Sequence, residues 1–142
     1  VLVTLGSERF PFSRAVRVVA RSLPPDAEVV WQLGHTQAPS DLPGTVHQWL
    51  PFDDMRSAAE NADVVITHCG VGSTLMALRA GKCPVVFPRR SKFSEHVDDH
   101  QEELAGALAA SGLAIVAGSN PKNVRDLITR AAAQNAVPFS PG

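Results

Sequence analysis

Apolar runs separated by helix-like stretches recur along the whole chain. Val1–Leu5 is the first run and ends at Gly6-Ser7. Glu28–Leu33 is the second, and Thr45–Leu50 is a shorter third after a loop containing Pro and Gly. Asp63–Thr67, β-branched in its middle, is the fourth, Pro84 opens a fifth, and Leu113–Val116 is the sixth. Such runs read as strands covered on both faces. Between the first two, Val16, Val19, Ala20 and Leu23 fall at i, i+3, i+4 and i+7. This predicts a helix capped by Ser13 and stopped by Pro24-Pro25. Asp53 or Asp54 is expected to start a second helix through Asn61. Ser73 and Thr74 are expected to start a third, which Gly81 ends. Asp98 or Asp99 should open a fourth to about Ala110, ended by Gly112, and Pro121 a fifth to about Gln134.

Strands alternating with short helices predict an α/β domain with a doubly wound, Rossmann-like parallel sheet of order 3-2-1-4-5-6. It would span residues 1–136, with Val137–Gly142 a loose tail. That order sets strands one and four side by side at the topological switch point, where ligands of open α/β sheets bind. The loops that meet there are Gly6-Ser7 and His68-Cys69-Gly70-Val71-Gly72-Ser73-Thr74. A side-chain-poor loop running into a helix N-terminus presents backbone N–H groups and a favourable dipole to an anion. The first reading of this turn is therefore phosphate binding. It is not a dinucleotide fingerprint, since Leu5-Gly6-Ser7-Glu8-Arg9-Phe10 is not GxGxxG. No P-loop and no GxSxG elbow occur either.

Composition narrows the classes further. With 142 residues and 44% hydrophobic content the chain can bury one real core. Its net charge of −1 gives no electrostatic footprint for nucleic acid. Arg89-Arg90 and Lys92 form the one basic cluster, read as a solvated loop. No apolar run approaches the ~20 residues of a membrane span, and no signal peptide is visible. The opening VLVTL, without an initiator Met, suggests a processed or excised domain. Cys69 and Cys83 form no CxxC and are expected to be reduced thiols.

Two histidine-bearing segments carry candidate chemistry. His96 and His100 are four apart, but Asp99 as N-cap with Glu102 at N3 would form a capping box and leave His96 outside the helix. A metal pair is therefore not expected. His100 and Gln101, in the first turn, could offer side chains to a polyhydroxyl ligand. His68 follows a buried strand and could be a general base or a phosphate donor, whereas His35 is assigned a loop role.

From Val46 to about Gln134 the chain resembles the C-terminal, donor-binding half of glycosyltransferase family 28, of the MurG type. Phe52-Asp53-Asp54-Met55 is similar to that family's F-x-D-D-M segment, and ADVVITHCGVGST to its ADVVI strand and glycine loop. AGKCPVVFP and HVDDHQEELA are similar to two further family segments. The N-terminal VLVTLGSERFPFSRAV and WQLGHTQAP resemble the short single-domain transferases of dolichol-linked and exopolysaccharide synthesis.

The resemblance implies one half of a GT-B enzyme that binds a nucleotide diphosphate sugar, such as UDP-GlcNAc, without metal or other cofactor. Gly6, Ser7, His68, Gly70, Gly72, Ser73 and Thr74 would hold the diphosphate. Phe52 would lie against the base, and Asp99, His100 and Gln101 would contact the sugar. Met76 stands where the family commonly has a ribose-binding acid, which leaves the nucleotide open, since a thioether cannot accept strong hydroxyl bonds. The implied reaction is inverting transfer to a lipid-linked or saccharide acceptor. Its base would lie on an N-terminal domain or a membrane-associated partner subunit, which places the chain in the cytoplasm at the inner membrane face. Two alternatives stay open: a non-catalytic nucleotide-sugar-binding subunit, and a fragment of a nucleotide-sugar 2-epimerase.

Overall fold

The structure, a computed structural model, describes residues 1–118 and 120–136, so the expected loose tail at 137–142 lies outside the described residues. Six parallel strands form one sheet: β1 (Leu2–Thr4), β2 (Val30–Gln32), β3 (Thr45–His47), β4 (Val65–His68), β5 (Val85–Phe87) and β6 (Ile115–Val116). Their spatial order is β3-β2-β1-β4-β5-β6, the order the alternation predicted. The reversal lies between β1 and β4, where Thr4 pairs in register with Thr67.

The two-residue period of each strand sends neighbouring side chains to opposite faces. Val3, Leu5, Trp31, Leu33, Val64, Ile66, Val85 and Phe87 enter one core with α1 (Ser13–Ser22) and α5 (Pro121–Asn135). On the other face Leu2 and Val65 pack with Ala59 of α2 (Phe52–Asn61) and with Met76 and Ala77 of α3 (Val71–Arg79). Val86 and Cys69 lie there too, under Ala105 of α4 (His100–Ala110). Among the described residues no helix is long and apolar enough to cross a membrane.

The helix ends expected at glycine are present. Lys82 N–H reaches Ala77 O at 3.1 Å past Gly81, and Leu113 N–H reaches Leu108 O at 2.9 Å past Gly112. Both are the six-to-one bond of a left-handed helix stop.

Several helix starts differ from expectation. Ser13 is the first helical residue of α1 and not its cap; Phe12 holds the cap position, and its N–H donates to Thr36 Oγ1 at 2.9 Å. That bond ties the cap residue to the loop after β2, and no side chain caps α1. Phe52, not an aspartate, begins α2, with Asp53 and Asp54 in its first turn. The third helix begins at Val71 with Gly70 as N-cap, two residues before Ser73. Asp99 is the N-cap of α4, yet the capping box does not form. Its carboxylate accepts the Ser91 N–H at 2.9 Å and hydroxyl at 3.1 Å, which ties down the 3-10 turn Ser91–Phe93. Asp98 accepts the His100 N–H instead, at 3.0 Å.

Candidate functional site

Polar side chains replace apolar ones where β1, β2 and β4 end, and these groups build the site. Gln32 is buried and uses both ends of its amide. Its Oε1 accepts from Thr4 Oγ1 at 2.6 Å and from Gly6 N–H at 3.1 Å. Its Nε2 donates to the carbonyls of Gly6 and Gln48, each at 3.0 Å. The turn after β1 is therefore held at both its N–H and its C=O.

That turn faces the start of α3 across a cleft of about 330 Å³. Thr4, Gly6, Ser7, Gln32, Gly72 and Ser73 line its polar side, and Trp49, Leu50, Phe52, Met55 and Met76 its apolar side. No side chain caps α3, so the N–H groups of Val71, Gly72 and Ser73 in its first turn are left for a ligand. A Cβ on Gly72 would meet nothing within 4 Å, so the backbone there is open to close approach. A larger hollow, about 530 Å³, opens at the opposite end of the sheet among Val1, Glu28, Gly44 and Asn61. It lies beside the C-terminal end of α2 and not at a helix start, away from the switch point.

His68 forms the floor between the two loops. Gly6 has φ +71°, and a Cβ there would run into His68 Nε2; a Cβ on Gly70 would stand 2.5 Å from Cε1. Both glycines are thus required by the imidazole they clasp. Nε2 lies 3.3 Å from Ser73 Oγ. On the other side of the ring, Nδ1 receives Arg89 Nε–H at 3.2 Å. A guanidinium has no lone pair, so Nδ1 must be the acceptor and the proton of the neutral ring sits on Nε2. Burial, the neighbouring Arg89 and then His96 push the imidazole down to about 3, so the ring is neutral at physiological pH. Of its two expected roles the base is closed, because its lone pair is already taken, and its one proton faces Ser73 Oγ beneath the cleft.

Arg89 corrects the reading of Arg89-Arg90-Lys92 as a solvated loop. It is 1% exposed, and its guanidinium lies 4.8 Å from the Phe12 ring centroid. Besides His68 it donates to Leu5 O at 2.8 Å, Phe10 O at 2.6 Å and Glu95 O at 3.2 Å. Burial pulls its pKa down to about 10, opposed by Glu8 and Glu95, so the charge persists. Glu95, itself buried, takes a two-pronged bond from Arg14, at 3.0 and 2.8 Å. The one signal that could have flagged Arg89 was its place directly after the buried strand run and Pro88.

Gly6, Ser7, Gly72, Ser73 and Phe52 therefore share one cleft, with His68 and Gly70 beneath it. Thr74 does not join them. Because α3 starts early, its side chain is buried and its N–H bonds Gly70 O at 3.0 Å. Asp99, His100 and Gln101 are not among the lining residues either. Asp99 is committed to Ser91, and its carboxyl is held below the usual range by the Ser91 N–H and hydroxyl. His100 is exposed beside Asp98 at 3.2 Å. Gln101 is buried: its Oε1 accepts Arg89 N–H at 3.1 Å, and its amide nitrogen lies 3.3 Å from His68 Nδ1. Among the described residues no group of three or more His, Cys, Asp or Glu stands together to hold a metal. Cys69 and Cys83 are free, and burial raises both thiols, Cys69 to about 11.

Comparison with known proteins places this cleft in context. Residues 1–140 match the family model described as the glycosyltransferase family 28 C-terminal domain. A 66-residue segment is 41% identical to the UDP-N-acetylglucosamine transferase subunit ALG13 of Yarrowia lipolytica, covering 46% of this chain and 32% of that protein. A 77-residue segment is 43% identical to the protein of the same name from Cryptococcus neoformans, covering 52% of this chain and 36% of that protein. The chain thus spans about a third of the length of these curated relatives. Among solved structures, the glycotransferase of kitacinnamycin aligns with TM-score 0.71 and 28% identity, over 96% of this chain and 35% of that one. The calicheamicin glycosyltransferase CalG4 aligns with TM-score 0.71 and 26% identity, over 95% and 35%. SnogD from Streptomyces nogalater aligns with TM-score 0.57 and 27% identity, over 95% and 36%.

Proposed function

The chain belongs to the glycosyltransferase family 28 C-terminal domain family, and from that premise we propose that it is the donor-binding domain of a glycosyltransferase. Its ligand is a nucleotide diphosphate sugar, of which UDP-GlcNAc is the first choice. The observation that carries this reading is the convergence of the open α3 N-terminus, the Gly6-Ser7 turn and the Ser73 hydroxyl on one cleft, with the His68 Nε2–H behind that hydroxyl. These donors suit a diphosphate, and the apolar wall of Trp49, Phe52 and Met55 suits a flat base. Phe52 is 65% exposed at the rim, free to lie against that base.

In the transfer step the bond from the anomeric carbon to the diphosphate breaks as the acceptor oxygen attacks. Negative charge then grows on the departing phosphate. Preorganised N–H groups aimed at that position stabilise it without reorganising. Here they are the first-turn N–H groups of α3 and the Ser73 hydroxyl, whose oxygen accepts the His68 Nε2–H from beneath. The acceptor must also lose a proton, and His68 is not the base because Arg89 holds its lone pair. A second domain or a partner subunit supplies that base and the acceptor site. The description of the ALG13 relatives as transferase subunits supports this part of the reading. The donor site works without a metal, so chelators leave donor binding unchanged.

Titration calorimetry with UDP, UDP-GlcNAc and the other nucleoside diphosphates tests the proposal. Selective UDP binding supports it, and no binding at millimolar concentration overturns it. Transfer assays with lipid-linked acceptors, with and without the remaining half from the same source, test the partner requirement. Robust turnover by this chain alone would show that the acceptor site is here.

A further inference from the structure

We propose that Arg89 is a positioning residue for donor binding: from behind the cleft it locks His68 in the tautomer that carries its proton on Nε2, so that the imidazole donates to Ser73 Oγ and leaves the Ser73 hydroxyl proton for the diphosphate. The inference rests on the donor-site reading above, but the tautomer lock itself does not depend on any ligand.

Two donors converge on Nδ1. One is Arg89 Nε–H at 3.2 Å, and the other is the Gln101 amide nitrogen at 3.3 Å. Gln101 cannot turn its amide over, because its Oε1 accepts the Arg89 backbone N–H at 3.1 Å. Arg89 thus acts on His68 twice, directly through its side chain and indirectly through its own main chain. The guanidinium cannot swing away either. Carbonyls of Leu5, Phe10 and Glu95 hold its terminal nitrogens, and the Phe12 ring covers a face. These anchors lie on the loops after β1 and β5, so one side chain also ties those two loops together.

The alternative tautomer would set an Nδ1–H against two donors and make the bare Nε2 an acceptor that draws the Ser73 hydroxyl proton away from the cleft. An imidazolium would have the same conflict at Nδ1. The groups facing the ring from each packed element are Arg89 after β5, Gln101 of α4, Ser73 of α3, and Gly6 and Gly70 of the flanking loops. His96 adds repulsion to any positive charge on the ring, while Glu8 and Glu95 favour the charge on Arg89. The site therefore binds a dianion with a neutral imidazole, and its affinity does not follow a histidine titration.

The test reads the tautomer directly by two-bond 1H–15N correlation of the histidine rings in the unmodified protein without ligand. The expected result is a His68 with a protonated Nε2 and bare Nδ1, unchanged between about pH 5 and 8. An Nδ1–H tautomer, a mixture, or titration near the ordinary ~6.5 would overturn the proposal. UDP binding is then compared in Arg89→Met and Arg89→Lys. Arg89→Met should lose at least about tenfold in affinity, and its deficit should change with pH as His68 begins to titrate, while Arg89→Lys regains part of the loss. If Arg89→Met does not fold, Gln101→Leu serves, since it removes one of the two donors. A folded variant with altered His68 titration but unchanged UDP affinity, measured where the unmodified protein binds UDP, refutes the positioning role. Failure of the unmodified protein to bind UDP refutes the donor-site reading instead and leaves the tautomer measurement intact.

Discussion

Acid should destabilise this domain chiefly through His68. The folded-state pKa of His68 is depressed to about 3 against 6.5 for a free imidazole. Between those values the unfolded chain binds a proton that the native state refuses, so stability falls as pH falls. The contribution is fully present above the unfolded value. Below it, each pH unit removes up to ~1.4 kcal/mol, so by about pH 5 the loss reaches ~2 kcal/mol. Against a total stability of about 5–15 kcal/mol this is easily measured. The variant is His68→Asn, whose side-chain oxygen can still accept from Arg89 near the position of Nδ1 but cannot titrate. Urea unfolding at about pH 8, 6.5 and 5, followed by the fluorescence of the fully buried Trp31, gives stability at each pH. The unmodified protein should lose ~2 kcal/mol across the series and the variant much less, although its stability at high pH is lower. The bonds Asp99 receives from Ser91 lower its pKa, so its contribution is lost only at more acid pH. An equal fall in both proteins would refute the argument, because the proton would then be entering elsewhere.

The remaining predictions concern the cleft. Gly72→Val should keep the fold, since a side chain there meets nothing, yet abolish UDP binding by filling the approach to the α3 N-terminus; calorimetry with an unchanged melting temperature checks it. Gln32→Leu strips partners from Thr4, Gly6 and Gln48 and should cost on the order of 3 kcal/mol in urea unfolding, with a stability within ~0.5 kcal/mol of the parent counting against it. Phe52→Ala removes an exposed rim ring, so the melting temperature should hold while UDP affinity falls about tenfold, a stacking contribution of ~1–3 kcal/mol. Equal affinity in the two proteins would remove Phe52 from the base site.

The chain's own pattern was enough for the architecture. Uninterrupted apolar runs, helical spacing and the glycines at 81 and 112 act over a few residues, and strands linked by helices admit few parallel orders. The sheet order, its switch point and the pairing of the Gly6 and Gly72 loops therefore followed without coordinates. Helix starts were less legible, because a tertiary bond to Thr36 holds Phe12 at the α1 cap position and the Asp99 carboxylate went to Ser91. Arg89, His68 and Gln101 were decided by tertiary structure alone. A buried guanidinium is tolerable only if carbonyls meet it, and those at Leu5 and Phe10 lie 84 and 79 residues earlier in the chain. No local pattern announces such partners, so Arg89 reads as one more surface charge beside Arg90 and Lys92. The tautomer of His68 has the same origin: an imidazole is symmetric enough that only the groups folded against each nitrogen decide which one carries the proton.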